Sequence, residues 1–216
     1  MKIDTDALIE QLTASAAPVR RLAPPMLRAL LWLAGIGLVC GALILRLSNL
    51  TVFADRASDP RMALELVATL ATGVAGVIAA FHLSLPDRSR AWALLPLPFA
   101  LAWMGLSGLG CYRDWAEQTR NGWRLGESSS CFVFLLAAGV PMALLLLLSL
   151  RRARPLQPRL VAAVGAVGVA ALSALALQFF HPFDVTLMDL GAHLAALLIL
   201  IGVFAVSGRI SLAGRA

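Results

Sequence analysis

The sequence has little charge and no long polar segment. Asp, Glu, Lys and Arg together make up 14% of its 216 residues, well below the share of about 25% in an average soluble protein. The longest connection between its apolar stretches, residues 113–130, is too short to form a soluble domain. Hydrophobic residues make up 60% of the chain, and its mean hydropathy is +0.83. A water-soluble fold of this length cannot bury that much hydrocarbon, so the composition predicts an integral membrane protein.

The sequence also lacks the local motifs that commonly mark enzymes. It contains no Gly-rich phosphate loop, no HExxH motif and no nucleophile elbow, and it has no soluble segment that could form a cleft. We therefore expect no enzymatic activity and no cofactor. A cleavable signal peptide is not expected either, because the first 25 residues are polar and the first apolar run is long enough to span a membrane.

Six apolar stretches are each about as long as a helix needs to cross ~30 Å of hydrocarbon. Their apolar runs are unbroken, whereas the strands of a membrane barrel would alternate. The predicted fold class is therefore all-α, a polytopic bundle of six transmembrane helices. Pro141 lies inside the fourth stretch and is expected to kink it. The predicted spans are Ala29–Arg46, Met62–Leu83, Trp92–Tyr112, Cys131–Leu150, Leu160–Phe180 and Met188–Gly208.

The basic residues are distributed unevenly between the two sides of these spans. One side has Lys2, Arg20, Arg21, Arg28, Arg88, Arg90, Arg151, Arg152, Arg154, Arg159, Arg209 and Arg215. The other side has Arg46, Arg56, Arg61, Arg113, Arg120 and Arg124, together with most of the acidic residues. The positive-inside rule then places both termini of this multi-pass protein in the cytoplasm. The basic charge reflects this topology, so we expect no direct contact with nucleic acid.

The sequence divides into a cytoplasmic N-terminal arm, residues 1–25, and a transmembrane domain, residues 26–216. Apolar residues recur at helical spacing in the arm, at Ile3, Leu8, Ile9, Leu12 and Ala16, which predicts a short amphipathic helix. Such a helix is marginal alone in water and needs a surface against which to bury its stripe. That surface is either the inner leaflet or the bundle's own loops, or else a groove on a cytoplasmic protein.

Short motifs along the whole chain resemble, in order, those of NrsF-type membrane proteins. They are Ala17-Pro18-Val19-Arg20-Arg21-Leu22 with Pro24-Pro25, Asp59-Pro60-Arg61, Leu85-Pro86, Trp92-Ala93-Leu94-Leu95-Pro96-Leu97-Pro98, Gly110-Cys111, Cys131, and Phe180-His181-Pro182 with Asp184. The resemblance implies an anti-sigma factor with six spans, which holds an extracytoplasmic-function sigma factor at the membrane until a periplasmic signal is sensed. It also implies that the sigma-binding surface lies on the arm, where the best candidates are Leu8, Ile9, Leu12, Arg20 and Arg21.

Two cysteines are predicted to lie close to the outer interface. Cys111 closes the third span and Cys131 opens the fourth, so an oxidising periplasm would permit a disulfide between them. The pair could be a permanent staple, a reversible redox switch or a pair of soft metal ligands. Cys40 lies in the pattern Gly37-Leu38-Val39-Cys40-Gly41, which permits close packing of helices, and is expected to be a small packing residue.

Four ionisable residues are predicted near the outer ends of spans: Glu65, His181, Asp189 and His193. They could join helices, form a sensory site with the cysteines that binds metal or titrates with pH, or relay protons. Their spacing matches no tight metal motif, so no metal is assigned. His82 lies at the inner end of the second span and cannot join them. A small transporter or channel is the alternative function, but the inner halves of the spans offer little polar path.

Overall fold

A computed structural model describes residues 5–15, 21–118, 128–180 and 187–212. These residues form helices and turns, with no strand among them, so the all-α fold class is confirmed for this part of the chain. One 3₁₀ turn spans Arg90–Leu94. The helices are α1 (Thr5–Ala14), α2 (Pro25–Leu47), α3 (Leu50–Ala57), α4 (Pro60–Leu83), α5 (Leu97–Gln118), α6 (Ser128–Arg151), α7 (Pro158–Gln178) and α8 (Leu187–Leu212).

Five helical segments among the described residues are long and apolar enough to cross a membrane. They are Pro25–Leu47, Pro60–Leu83, Arg90–Gly110, Cys131–Arg151 and Pro158–Gln178. The chain is therefore a multi-pass membrane protein in its architecture. The sixth predicted span falls on α8, which contributes a shorter apolar segment, Leu194–Ser207. A sixth crossing and the orientation of the termini stay predictions.

Local sequence signals account for where several helices begin. Pro25, Pro60 and Pro158 occupy the first turns of α2, α4 and α7, where the missing N–H costs no helical hydrogen bond. The Asp59 side chain caps α4 by accepting a 3.0 Å hydrogen bond from the backbone N–H of Arg61. Pro141 lies inside α6, as predicted, and the helix continues through it.

Three connections differ from the sequence-based expectation. The connection after the first span contains a helix of its own, α3, whose Phe53 stacks on Phe179 beyond the end of α7. Trp92 lies in the 3₁₀ turn rather than in a helix, because Pro96 and Pro98 delay the start of α5 to Leu97. The connection between the third and fourth spans is shorter than predicted, since α5 continues to Gln118 and α6 begins at Ser128.

The centre of the bundle is the packing of α4 against α7, the most extensive contact between two helices. In the most apolar 18-residue part of each helix, 67% of α4 and 72% of α7 is buried. Glycines bring the two backbones together: a Cβ on Gly76 would lie 2.7 Å from Gly168 Cα, and a Cβ on Gly168 would lie 2.8 Å from Val77 N. Small residues are the usual means of close helix contact inside membranes.

The Gly37–Gly41 pattern makes no close helix contact among the described residues. A Cβ added at either glycine would meet no atom within 4 Å, so neither supports a close helix contact among the described residues. The reason is that α2 lies at the periphery and packs through other positions, including Ala29 and Trp32. Cys40 is half-buried beside the core, which agrees with a packing role.

The buried residues form two clusters along the bundle. The larger cluster joins α2, α4, α6, α7 and α8, and runs towards the end where Arg28, Leu83, Leu150 and Val161 lie. The smaller cluster joins Ala68, Trp103, Cys131, Ala174 and Leu177 among others, at the opposite end. We refer to these as the Arg28 end and the Glu65 end of the bundle.

Replacing Gly168 with Ala should destabilise the bundle by about 1–3 kcal/mol, because the added methyl meets backbone atoms of α4 that cannot rotate away. The matched control is Gly37→Ala, whose methyl enters open space, and which should leave stability unchanged or slightly raised. Thermal unfolding of the full-length protein in detergent measures both. Equal effects of the two changes would contradict the close α4–α7 contact.

Candidate functional site

A buried carboxylate joins α4 to α5 at the Glu65 end. Glu65 is 6% exposed. Its Oε2 accepts a 3.0 Å hydrogen bond from Arg61 Nη1, one helical turn earlier on α4. Its Oε1 accepts a 2.6 Å hydrogen bond from the Ser107 hydroxyl on α5. Both carboxylate oxygens therefore have partners, which offsets the cost of burying the charge. This arrangement suits the role of an interhelical bridge, one of the alternatives open from the sequence.

Arg61 lies inside this network rather than in solvent. Its guanidinium also approaches the carbonyl oxygen of Leu106 at 3.5 Å and the carboxylate of Asp59 at 3.7 Å. Gly110 on α5 leaves the room that the guanidinium occupies, since a Cβ there would overlap it. From the sequence, Arg61 is expected only in a connection, just before the second span. The signal it missed was the spacing of Arg61 and Glu65, an i, i+4 pair on one helix face.

Cys131 is buried at the same end of the bundle. It is 2% exposed and belongs to the apolar cluster that includes Ala68, Trp103 and Leu135. Ala68 lies one turn beyond Glu65 on α4, so the thiol and the carboxylate occupy the same region. Cys111 follows Gly110 directly, which places its backbone at this end of α5. Its side chain lies outside the described part of the structure.

The remaining predicted sensing residues cannot be placed from their side chains. Those of Asp189 and His193 on α8 lie outside the described residues, as does the whole of His181. Among the side chains that are described, no group of three or more His, Cys, Asp or Glu could hold a metal ion. A disulfide, a metal site and a pH-sensitive site involving these residues thus stay predictions.

His82 lies at the Arg28 end, away from the Glu65 network. Its imidazole is 7% exposed and stacks on the indole of Trp92, with ring centroids 3.9 Å apart and planes 13° apart. Neither ring nitrogen has a hydrogen-bond partner among the described residues. The stack attaches the 3₁₀ turn to the end of α4, so it gives His82 a structural role.

The predicted apolar stripe of the arm is present and exposed. Leu8, Ile9 and Leu12 lie on α1 and are 44%, 56% and 61% exposed. No residue of α1 is buried, so the described part of the bundle does not cover the stripe. Arg21 is exposed at the start of the segment before α2, whereas Arg20 lies outside the described residues.

Residues 12–213 match the family model described as NrsF, negative regulator of sigma F. The match begins at Leu12 on α1 and includes every later helix, while Leu8 and Ile9 precede it. No curated protein and no solved structure matches the chain. The family expected from the sequence motifs is confirmed.

Changing Glu65 to Gln should destabilise the bundle by about 2 kcal/mol, because a hydrogen bond to a charged group contributes about 1.5–3 kcal/mol. The matched control is Asp59→Asn, the same change of acid to amide on the other carboxylate beside Arg61. The Asp59 side chain is 49% exposed, and the amide oxygen of the replacing Asn can still cap α4. The loss in free energy of unfolding should therefore stay below about 1 kcal/mol. Unfolding in detergent distinguishes the two, and a larger loss for Asp59→Asn would contradict the network described above.

Proposed function

The chain belongs to the NrsF family of negative regulators of a sigma factor, and we propose that it is a membrane-bound anti-sigma factor. In this proposal it holds an extracytoplasmic-function sigma factor at the bacterial inner membrane and releases it when a signal reaches the periplasmic side. The family match over residues 12–213 is the observation that carries the proposal. No enzymatic activity or nucleic-acid contact is part of it.

The exposed stripe of α1 is the proposed sigma-binding surface. Leu8, Ile9 and Leu12 lie within one turn of each other and are all exposed. Burying one such side chain contributes about 1.5–3 kcal/mol, so three of them can supply much of a specific contact. A helix of ten residues is also marginal alone in water, so docking stabilises both α1 and the complex. Arg20 and Arg21 would add charge complementarity beside the stripe.

The proposed topology has six spans, the sixth on α8, with both termini in the cytoplasm. The Arg28 end then faces the cytoplasm and the Glu65 end faces the periplasm. The excess of arginines on the first of these sides supports this orientation. In the same proposal Cys111, Cys131, His181, Asp189, His193 and Glu65 contribute to a periplasmic sensing layer that responds to redox or metal stress.

Helix α4 is the proposed connection between the two sides. It holds the Glu65 network at one end and the stack of His82 on Trp92 at the other. A signal at the Glu65 end can affect a sigma factor only if it favours one of two arrangements of the bundle. Because α4 is packed along α7 and also contacts α2, α5 and the 3₁₀ turn, a shift of α4 would reach both ends.

The buried side chains give little support to the transporter alternative. On α4 every residue from Gly73 to Phe81 is apolar, so no polar side chain of that helix links Thr72 to His82. On α7 the buried Ser173 hydroxyl donates to the carbonyl oxygen of Ala170 in its own helix. These described helices therefore offer no continuous polar path.

The double change Leu8→Asp and Leu12→Asp should reduce binding of the sigma factor at least tenfold, since two carboxylates would replace the apolar contact. The control is Ala7→Asp, which adds one carboxylate on the face of α1 away from the stripe and should leave binding within about twofold. Full-length variants in detergent are titrated with the sigma factor encoded nearest to the gene.

Two results would count against this surface. Unchanged binding by the double variant would exclude the stripe as the contact. A complete lack of binding by the unmodified full-length protein, to that sigma factor or to the other sigma factors of the organism, would exclude the anti-sigma function itself.

Cys131→Ser and Cys111→Ser should each abolish signal-dependent release while leaving sigma binding in the unstimulated state intact. Cys40→Ser is the matched control, because Cys40 lies on α2 away from the Glu65 end, and it should respond like the unmodified protein. A sigma-dependent reporter measures release, and thiol alkylation with mass spectrometry measures the oxidation state of each cysteine. Normal release by both variants would reduce the pair to a structural role.

A further inference from the structure

A cavity of about 420 Å³ opens at the Arg28 end between α2, α4 and α6. Its polar wall consists of Arg28, Trp32, Ser149 and Arg152, and Phe81 lies behind them. Two of these residues carry a positive charge, and no acidic side chain is among those that line the cavity. Among the described residues, the positive charge of the cavity is therefore uncompensated and lies beside apolar walls.

The Arg28 guanidinium makes one hydrogen bond and one contact with an aromatic ring. Nη2 donates a 2.7 Å hydrogen bond to the backbone carbonyl of Ser149 on α6, and the guanidinium lies over the Phe81 ring at 5.0 Å from its centroid. The other nitrogen, Nη1, is buried and has no hydrogen-bond partner among the described residues. Nη1 is thus left without an acceptor among the described residues, which is costly for a charged donor.

A second unsatisfied donor lines the same cavity. Trp32 is 9% exposed, and its indole Nε1 is buried without a hydrogen-bond partner among the described residues. Guanidinium and indole nitrogens can only donate, so the missing partner of both must be an acceptor. With Arg152 adding a second positive charge, the group that fits best is an oxygen-rich anion.

The surroundings of the cavity indicate where that anion comes from. Leu31, Leu145 and Leu148 also line it and are 65%, 50% and 55% exposed, on helices that are long enough to span a membrane. In a bilayer these side chains face acyl chains. We propose that the cavity binds the phosphate of an anionic phospholipid between Arg28, Trp32 and Arg152, with the acyl chains lying along the three leucines.

This site is independent of the proposed function, because none of its residues belongs to α1 or to the Glu65 end. It gives α2 a second attachment to the bundle. The α2 helix has few buried side chains, and a lipid held between α2 and α6 would add contacts that the protein alone lacks.

The test measures lipid binding to the full-length protein. Protein delipidated in detergent is titrated with phosphatidylglycerol or phosphatidylcholine, and the bound lipid is counted by native mass spectrometry. We expect a preference for phosphatidylglycerol that falls about fivefold with Arg28→Gln and about fivefold with Arg152→Gln, the effect of one charge at an anionic membrane surface. Trp32→Phe should also weaken binding, since it removes the indole donor and keeps an aromatic ring at this position.

The matched control is Arg151→Gln, a neighbouring arginine that does not line the cavity and should leave the preference unchanged. Helix content and a single gel-filtration peak confirm that each variant is folded. If Arg28→Gln misfolds, Arg152→Gln decides the result, because the exposed Arg152 side chain makes no contact that the fold requires.

Three outcomes would overturn the proposal. One is equal binding of the two lipids, and another is a loss with Arg151→Gln as large as that with Arg152→Gln. The third concerns the source of the anion. If inorganic phosphate binds the delipidated protein and phosphatidylglycerol does not, or if Arg152→Gln weakens sigma-factor binding to delipidated protein and leaves lipid binding intact, the cavity belongs to a soluble anion or to the protein partner.

Discussion

The rest of the bundle depends on the direct contact between the backbones of α4 and α7. Gly76 and Gly168 let the two helices approach until a single methyl group would overlap main-chain atoms of the other helix. Lipid tails are as apolar as the side chains they surround, so helices in a membrane associate by close packing rather than by escape from water. Once α4 and α7 form this pair, α6 and α8 pack on α7, while α2 and α5 pack on α4.

The charged side chains at the two ends of the bundle differ in how well their polar atoms are paired. At one end the Glu65 carboxylate has a hydrogen bond on each oxygen, so the ionic group is matched within the protein. At the other end, Nη2 of Arg28 donates a hydrogen bond to Ser149, whereas Nη1 has no hydrogen-bond partner among the described residues. A buried donor that lacks an acceptor costs about 1–3 kcal/mol, more when it is charged. The first arrangement holds two helices together, whereas the second is suited to receiving a ligand.

The sequence predicted the architecture well because membrane burial leaves a strong pattern. Apolar length and proline positions located the five helical segments that are long and apolar enough to span a membrane, with most of their limits within a few residues, and the apolar stripe located α1. The sequence did not predict the contacts that depend on which helices face each other. The pattern at Gly37 and Gly41 looks the same in sequence as a packed glycine pair, yet the pair that packs, Gly76 with Gly168, comes from two distant helices. The contacts of Arg28 and Arg61 were not predicted for the same reason, since they lie on other helices or one turn away.

The composition of α7 has a consequence for the entropy of the folded bundle. Its buried face consists mainly of Ala, Gly and Val, from Val161 to Ala176. Ala and Gly have no rotamers to lose, whereas a Leu or Ile that becomes fixed loses about 0.5–1 kcal/mol of side-chain freedom. Packing α4 against α7 therefore costs little side-chain conformational entropy. The long side chains of α2, such as Leu38 and Leu45, remain exposed at the rim and keep their rotameric freedom. The two innermost helices therefore pack with little loss of side-chain conformational entropy. The side chains that keep most of their rotameric freedom are those on the lipid-facing surface.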